Sequence, residues 1–398
     1  MAKRIFVGVL VVLAGFFACR NAYCCTSAII TGKVTADGRP LLWKHRDTDD
    51  ENNRMAFFKG AKYDFLALQN SPDADGIAWT GSNSAGFSIM NTASYNLKND
   101  TVKKMDQEGI LMYKALSECK NLADFETFLD NYPRPMRVEA NFGVIDAEGG
   151  AAYYEVNNTH WVKRDANDPK IAPNGYLVYT NFSYTGRFNE GMGYIRHQTA
   201  TEIISGQAAH RDFTPHWLFN NLSRSYYHSL LGIDLLKAEF SPEKTSGWVV
   251  DQDFIPRKST TASIVIQGVK SGENPEMTTL WTILGYPPVG VAVPMWVKAG
   301  SNQPEIMLGS RDSNRAQMCD FALARKRKVF SIKRGNGGKY LNFNLIHNQS
   351  GSGYMQQLAP VEQAVFQLYQ EAIERWRKTG INLRELITIN AQMETVVK

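Results

Sequence analysis

"CCTSAII", residues 24–30, stands just past an apolar leader, and the way it is read decides the fold. Lys3 and Arg4 form a basic start, and Ile5–Ala18 is an apolar run interrupted only by Gly8 and Gly15. That run is shorter than the about 20 residues a membrane-spanning helix needs. It reads as a secretory signal over residues 1–24. Signal peptidases favour small residues at the last and third-last leader positions. Ala22-Tyr23-Cys24 fits that pattern, and a cut there exposes Cys25. Phe17-Ala18-Cys19 offers an alternative, a lipoprotein signal with Cys19 lipidated, although Phe16 suits its aliphatic position poorly. No later stretch is long and apolar enough to span a membrane, so residues 25–398 are expected to form one soluble domain, secreted or periplasmic.

The chain has 398 residues, 43% of them hydrophobic and 21% charged, enough for a large core. Its net charge of +5 comes partly from the leader, which holds Lys3, Arg4 and Arg20 and no acid. Without those three, 41 of the 44 basic residues face 39 acidic ones. There is no basic block to bind nucleic acid. From position 25 onward only Cys25, Cys119 and Cys319 remain. An odd number leaves at least one free thiol, with Cys119–Cys319 the one disulfide left to form if geometry permits.

An N-terminal cysteine carries nucleophile and base on one residue. A thiol ordinarily titrates near about 8.5 and an α-amine near about 8. A freed amine can therefore take the thiol proton near neutral pH, directly or through water. While a leader is attached, that nitrogen is an amide and has no basicity. Thr26–Ile30, rich in β-branched and apolar residues, reads as a buried strand. Asp37-Gly38 is a turn signal, and Pro40–Asp47 returns as a second strand. The hairpin brings Asp47 to the Cys25 amine, where a carboxylate stabilises the ammonium form.

These residues, "CCTSAII" followed by "GRPLLWKHRD", resemble the start of the N-terminal-nucleophile (Ntn) hydrolases of the choloylglycine hydrolase type. That group includes bile salt hydrolases, penicillin V acylases and isopenicillin N acyltransferases. The resemblance implies an α+β fold, a four-layer αββα sandwich of two antiparallel sheets between helices. It maps the nucleophile onto Cys25 and the carboxylate onto Asp47. Lys44 stands where the bile salt enzymes carry an arginine, keeping the charge without the guanidinium fork. "WTGSNSAGFSIMNTAS", residues 79–94, resembles a family hairpin leading to an asparagine whose backbone lines the oxyanion hole, here Asn91. "GYLVYTNFSYTGRF", residues 175–188, carries Thr180-Asn181, matching the asparagine whose side-chain amide donates to the oxyanion. Such a donor is worth roughly 3–4 kcal/mol of barrier. "IPRKSTTASIVIQ", residues 255–267, resembles the strand pair that closes the sheet. The family arginine after its serine is here Ile264, so Arg257, a few residues earlier, becomes the candidate.

Elsewhere the pattern is structural. Gln107–Leu129 reads as two helices, the second opening at Asn121 and Asp124. Residues 141–156 read as two strands around a Gly-Gly turn, with Glu155 structural. Arg187 and Arg196 read as solvated or ion-paired residues of a following helix. Residues 278–297 read as strand, turn and strand, Arg325–Lys339 as a basic surface loop, and Val361–Arg377 as the closing helix. Neither a cofactor motif nor a metal cluster of ordinary spacing is present.

The leading reading is an exported amidohydrolase that cleaves linear carbon–nitrogen bonds of small-molecule amides through a thioester on Cys25. An acyltransferase of the same fold differs only in what attacks the thioester. A thiol peptidase of the papain type needs a histidine base, and the seven histidines are scattered. The non-enzyme alternative is a catalytically silent binding lipoprotein anchored at Cys19. Oligomeric state stays open, a homo-oligomer included.

Overall fold

A computed structural model of the chain describes residues 24–73, 75–238, 240, 247–310 and 313–398. The leader up to residue 23, with the lipidation alternative at Cys19, lies outside the described residues. In chain order the first strands are β1 (Thr26–Ile30), β2 (Leu41–Asp47), β3 (Asn53–Phe58), β4 (Phe65–Asn70), β5 (Thr80–Asn83) and β6 (Ser88–Ala93). Helices α1 (Glu108–Glu118) and α2 (Leu122–Asn131) follow, then β7 (Ala140–Ile145), β8 (Ala151–Val156), β9 (Trp161–Asp165) and β10 (Tyr176–Tyr179). Next come α3 (Tyr194–Ala208) and the short α4 (Pro215–Leu218). The second half holds β11 (Tyr227–His228), β12 (Ile233–Asp234), β13 (Trp248–Val250), β14 (Thr260–Gln267), β15 (Thr279–Leu284) and β16 (Val293–Met295). It ends with α5 (Gln317–Val329), β17 (Tyr340–Asn342), α6 (Tyr354–Thr379) and α7 (Leu383–Val397).

Two large antiparallel sheets result. One has the order β10-β1-β2-β14-β15-β16, and the other is a meander from β3 to β9. The central strands of the first are buried on both faces, which requires a layer on each side. Successive side chains alternate between faces. On β1, Ser27 meets the Tyr153 hydroxyl of the meander at 2.9 Å. On the opposite face Trp43 donates to Ser223 at 2.9 Å, and Trp281 stacks on Phe366 of α6 with ring centroids 4.0 Å apart. The meander alternates likewise. Leu66, Leu68 and Met90 face the inter-sheet core, while Phe65, Ala67 and Ile89 pack under Leu111, Leu116 and Phe125 of α1 and α2. Each large apolar side chain removed from water contributes roughly 1.5–3 kcal/mol. The order is helices, sheet, sheet, helices, the αββα sandwich expected from the sequence.

The β1–β2 hairpin has the register Thr26↔His45 to Ile30↔Leu41. Its connection bends back at Gly38 (φ 74°), where the Arg39 amide donates to Asp37 at 3.2 Å. The helix start expected at Asn121 is present, its side chain accepting from the Asp124 amide at 2.9 Å.

Four expectations need correction. Residues 255–267 form a single strand, β14, and it lies inside the sheet between β2 and β15 rather than closing it. Arg325–Val329 belongs to α5, so only the remainder of the basic stretch lies beyond a helix. Lys326 is buried, bonding Glu51 at 2.7 Å and the Thr260 carbonyl at 3.1 Å. The helix expected over Val361–Arg377 begins earlier, at Tyr354, and tolerates Pro360 near its start; α7 then follows, capped by Asn382. Cys119 and Cys319 stay unpaired because they lie in different layers, one at the end of α1 under the meander and the other on α5. Burial pushes the Cys119 thiol up to about 12 and the Cys319 thiol up to about 11.

Candidate active site

Cys25 immediately precedes β1 and is 6% exposed. Two residues before Ser27, it lies on the face turned to the meander. Its thiol sits 3.9 Å from the Asp47 carbonyl oxygen across the hairpin. At the same hairpin end, the Asp47 carboxylate is almost fully buried. One oxygen accepts from the Thr260 hydroxyl at 2.6 Å. The other accepts from Arg257 Nη2, which also donates to the Cys24 carbonyl oxygen at 2.7 Å. Arg257 thus joins the 24–25 peptide bond to Asp47. Burial works to lower its guanidinium, but the charge and hydrogen bond of Asp47, together with the neighbouring Cys24 and Asp253, outweigh this and hold it above its usual range.

An arginine does reach the Asp47 carboxylate, from the turn before β14 and not from the position after Ser263. Ile264 stands in mid-strand opposite Lys44 and belongs to the core. The turn bearing Arg257 is tied down by Lys258 N–H to Asp251 at 2.7 Å and Thr48 N–H to the Ser259 carbonyl at 2.9 Å.

Asn181 follows β10, which pairs with β1, and it is fully buried. Its side-chain amide donates to the Ala93 carbonyl at 2.9 Å, and its side-chain oxygen accepts from Arg196 Nη2 at 2.8 Å. Glu155 anchors the loop behind it, accepting from the Tyr179 hydroxyl at 2.7 Å and the Tyr184 amide at 2.8 Å. That is the structural part expected for Glu155.

Arg196 is not the solvated or ion-paired residue that its helix suggested. It is 1% exposed, and Nη1 donates to the Cys25 carbonyl at 2.8 Å and to the Thr26 hydroxyl at 2.6 Å. Burial, and then the nearby Arg257 charge, lower its guanidinium to about 10. Gly193 makes room for it, because a Cβ there would lie 2.3 Å from Arg196 Nη2.

Asn91 reaches the site through Lys44. The buried Lys44 ammonium crosses from β2 to the meander, donating to Asn91 Oδ1 at 2.7 Å and to the Trp79 carbonyl at 2.5 Å. Burial is the main cause lowering Lys44 to about 7, partly opposed by the neighbouring Cys25. Lys44→Met is expected to release Asn91 and lower kcat/KM on an amide substrate about tenfold to a hundredfold, the range for one hydrogen bond to a charged group. The folded lysine titrates below its ordinary value of 10.5, so the unfolded chain binds more protons between about pH 7 and 10.5. Wild-type stability therefore gains across that window relative to Lys44→Met. Urea unfolding at pH 7 and pH 9.5 checks this sign.

Cys25, Asp47, Asn181 and Arg257, all named from sequence, share one network, and Asn91 joins it at one remove. Arg196 and Thr260 were missed. Lys44 was noticed only as a departure from the family arginine. His45, on the opposite face of β2 from Lys44, is lowered by burial to about 4 and is neutral at pH 7. A cleft of about 640 Å³ opens beside Cys24 and Arg257, with Asp49, Asp253 and Lys258 on its walls. A second cavity, about 380 Å³ between Lys62, Cys119 and Tyr132, lies against α1 and α2 and has no part in this network. Among the described residues, no group of three or more His, Cys, Asp or Glu is placed to hold a metal ion, and no helix is long and apolar enough to cross a membrane.

A sandwich of this layer order, with a cysteine at the start of an inner strand, is the arrangement expected from the resemblance to the Ntn hydrolases. No family model and no curated protein matches the chain. Among solved structures it is similar to an N-acylethanolamine-hydrolyzing acid amidase ortholog from Caenorhabditis elegans, at 15% identity and a TM-score of 0.39, over 61% of this chain and 92% of that one. It is also similar to a mutant conjugated bile acid hydrolase from Clostridium perfringens, at 11% identity and a TM-score of 0.42, over 69% and 92% of the two chains. A third is penicillin V acylase from Agrobacterium tumefaciens, at 12% identity and a TM-score of 0.37, over 68% and 85%. Likenesses this shallow carry no assignment of activity.

Proposed function

We propose that this chain is an exported amidohydrolase acting on linear carbon–nitrogen bonds of small-molecule amides, with Cys25 as nucleophile. The observation that carries the reading is the Arg257 bridge between Asp47 and the carbonyl of the 24–25 peptide bond. A freed Cys25 nitrogen lies beside that pair. Loss of residues 1–24 turns an amide nitrogen into an amine. The amine takes the Cys25 thiol proton, and the sulfur attacks the substrate carbonyl carbon. The Asn181 side-chain amide is the proposed donor to the resulting oxyanion, with the strand around Asn91 as the second wall. The tetrahedral intermediate collapses, the carbon–nitrogen bond breaks, and the Cys25 ammonium returns its proton to the leaving amine. Water then attacks the thioester, releasing the acid and the thiol.

Acyl transfer uses the same thioester with an amine in place of water. A panel of linear amides, each incubated with and without added glycine ethyl ester, tests both. The reading expects acid release, with an acyl group recovered by mass spectrometry on the peptide that begins at Cys25. Formation of the glycine conjugate in preference to the acid supports the transferase. An absence of turnover and of acylated Cys25 across the panel overturns both.

A further inference from the structure

The Thr260 hydroxyl, fully buried, has one proton and two lone pairs, and three partners surround it. Asp47 Oδ1, a carboxylate oxygen, lies at 2.6 Å and can only accept. The Arg257 backbone N–H lies at 3.0 Å and can only donate. His45 Nε2 lies at 3.1 Å. The single proton goes to Asp47, so His45 must donate from Nε2. That fixes the neutral imidazole in its Nε2–H form, in keeping with a ring that burial holds uncharged at pH 7. The hydroxyl is then saturated and has no second orientation. Its backbone is equally bound: Thr260 pairs with Asp47 in the sheet, a bulge separates that pair from Ala262, and its N–H donates to the Arg257 carbonyl at 2.9 Å. One residue therefore holds both the Asp47 carboxylate and the turn carrying Arg257.

We propose that Thr260 is a positioning residue: its hydroxyl, directed by the His45 N–H, holds Asp47 Oδ1 so that Oδ2 stays on Arg257 beside the Cys25 nitrogen. This rests on the reading of Cys25 as a terminal nucleophile. Thr260→Val keeps the shape and removes the hydroxyl. It is expected to lower kcat about tenfold to a hundredfold with KM within about twofold, the effect of losing one hydrogen bond to a charged group. Thr260→Ser restores the proton and is expected to recover kcat to within about threefold of wild type. The rate at which iodoacetamide alkylates Cys25 without substrate is expected to fall in Thr260→Val and recover in Thr260→Ser. A purely structural part for Thr260 moves neither split.

Should Thr260→Val fail to fold, His45→Gln, which keeps an N–H, and His45→Leu, which does not, make the same comparison. Glutamine is expected to hold kcat within about threefold, and leucine to lower it about tenfold. Wild-type kcat in Thr260→Val, or in His45→Leu, overturns the proposal. So does a folded Thr260→Ser as slow as the valine chain. If Cys25→Ala keeps full activity, the underlying reading fails; if that variant is inactive and Thr260→Val is not, only the part given to Thr260 fails.

Discussion

Cys25→Ala is expected to abolish amide hydrolysis, by about 10⁴-fold or more, because the variant retains neither nucleophile nor thioester. The fold is expected to survive. Cys25 is buried but precedes the first strand, and losing one small side-chain atom there costs about 1 kcal/mol. Thermal unfolding of the variant separates a loss of chemistry from a loss of structure. Cys24→Ala is expected to do neither. On the proposed cut, residue 24 belongs to the segment that is removed, alanine suits the small position before the cut, and the mature protein is then identical to wild type. The two variants together test the assignment of the doubled thiol proposed above, with Cys25 used and Cys24 discarded. Comparable losses in both contradict the assignment.

Arg196→Met is expected to damage stability and activity together. The guanidinium serves three acceptors on two separate segments, the Cys25 carbonyl and the Thr26 hydroxyl on one and Asn181 Oδ1 on the other. Methionine fills much of the volume and serves none of them. A buried acceptor left unpaired costs about 1–3 kcal/mol, and removing a desolvated charge returns part of that. A net loss of about 2–4 kcal/mol is expected in urea unfolding. Asn181 Oδ1 then loses the donor that orients it, and kcat is expected to fall about 10²- to 10³-fold, the range for losing an oxyanion donor. Arg196→Lys keeps the charge but lacks the planar fork, so it is expected to recover stability more than kcat. An Arg196→Met chain with wild-type kcat contradicts any link between this residue and Asn181.

The parts of the site that sequence made legible are those whose chemistry is written locally. Thr26–Ile30 and Pro40–Asp47 read as a hairpin because β-branched and apolar residues flank a turn signal, and the hairpin alone brings Asp47 to Cys25. Asn181 stands out as a polar residue ending an apolar strand. Arg257 was reached only through an absence, Ile264 standing where an arginine was sought. Arg196 carried no such mark. Its helix, "YIRHQTATEIISGQA", has no clean apolar stripe, and the groups it serves at the entry to β1 lie 171 and 170 residues away. Thr260 looks like one of several strand threonines until the register sets it opposite Asp47. The layer order was legible in outline, whereas α7 was not, and α6 was read from Val361, just past Pro360, although it starts at Tyr354. A proline inside a helix removes an N–H and crowds the carbonyl four residues back, so it reads as a boundary, yet here the helix runs on through Pro360.

Intact-mass and N-terminal analysis of the purified, active protein bears most directly on the claim that one residue supplies both sulfur and amine. The account requires the active chain to begin at Cys25 with an unmodified amine. An active chain that still carries residue 24 has only an amide at that position, and finding one would contradict the chemistry proposed for this site.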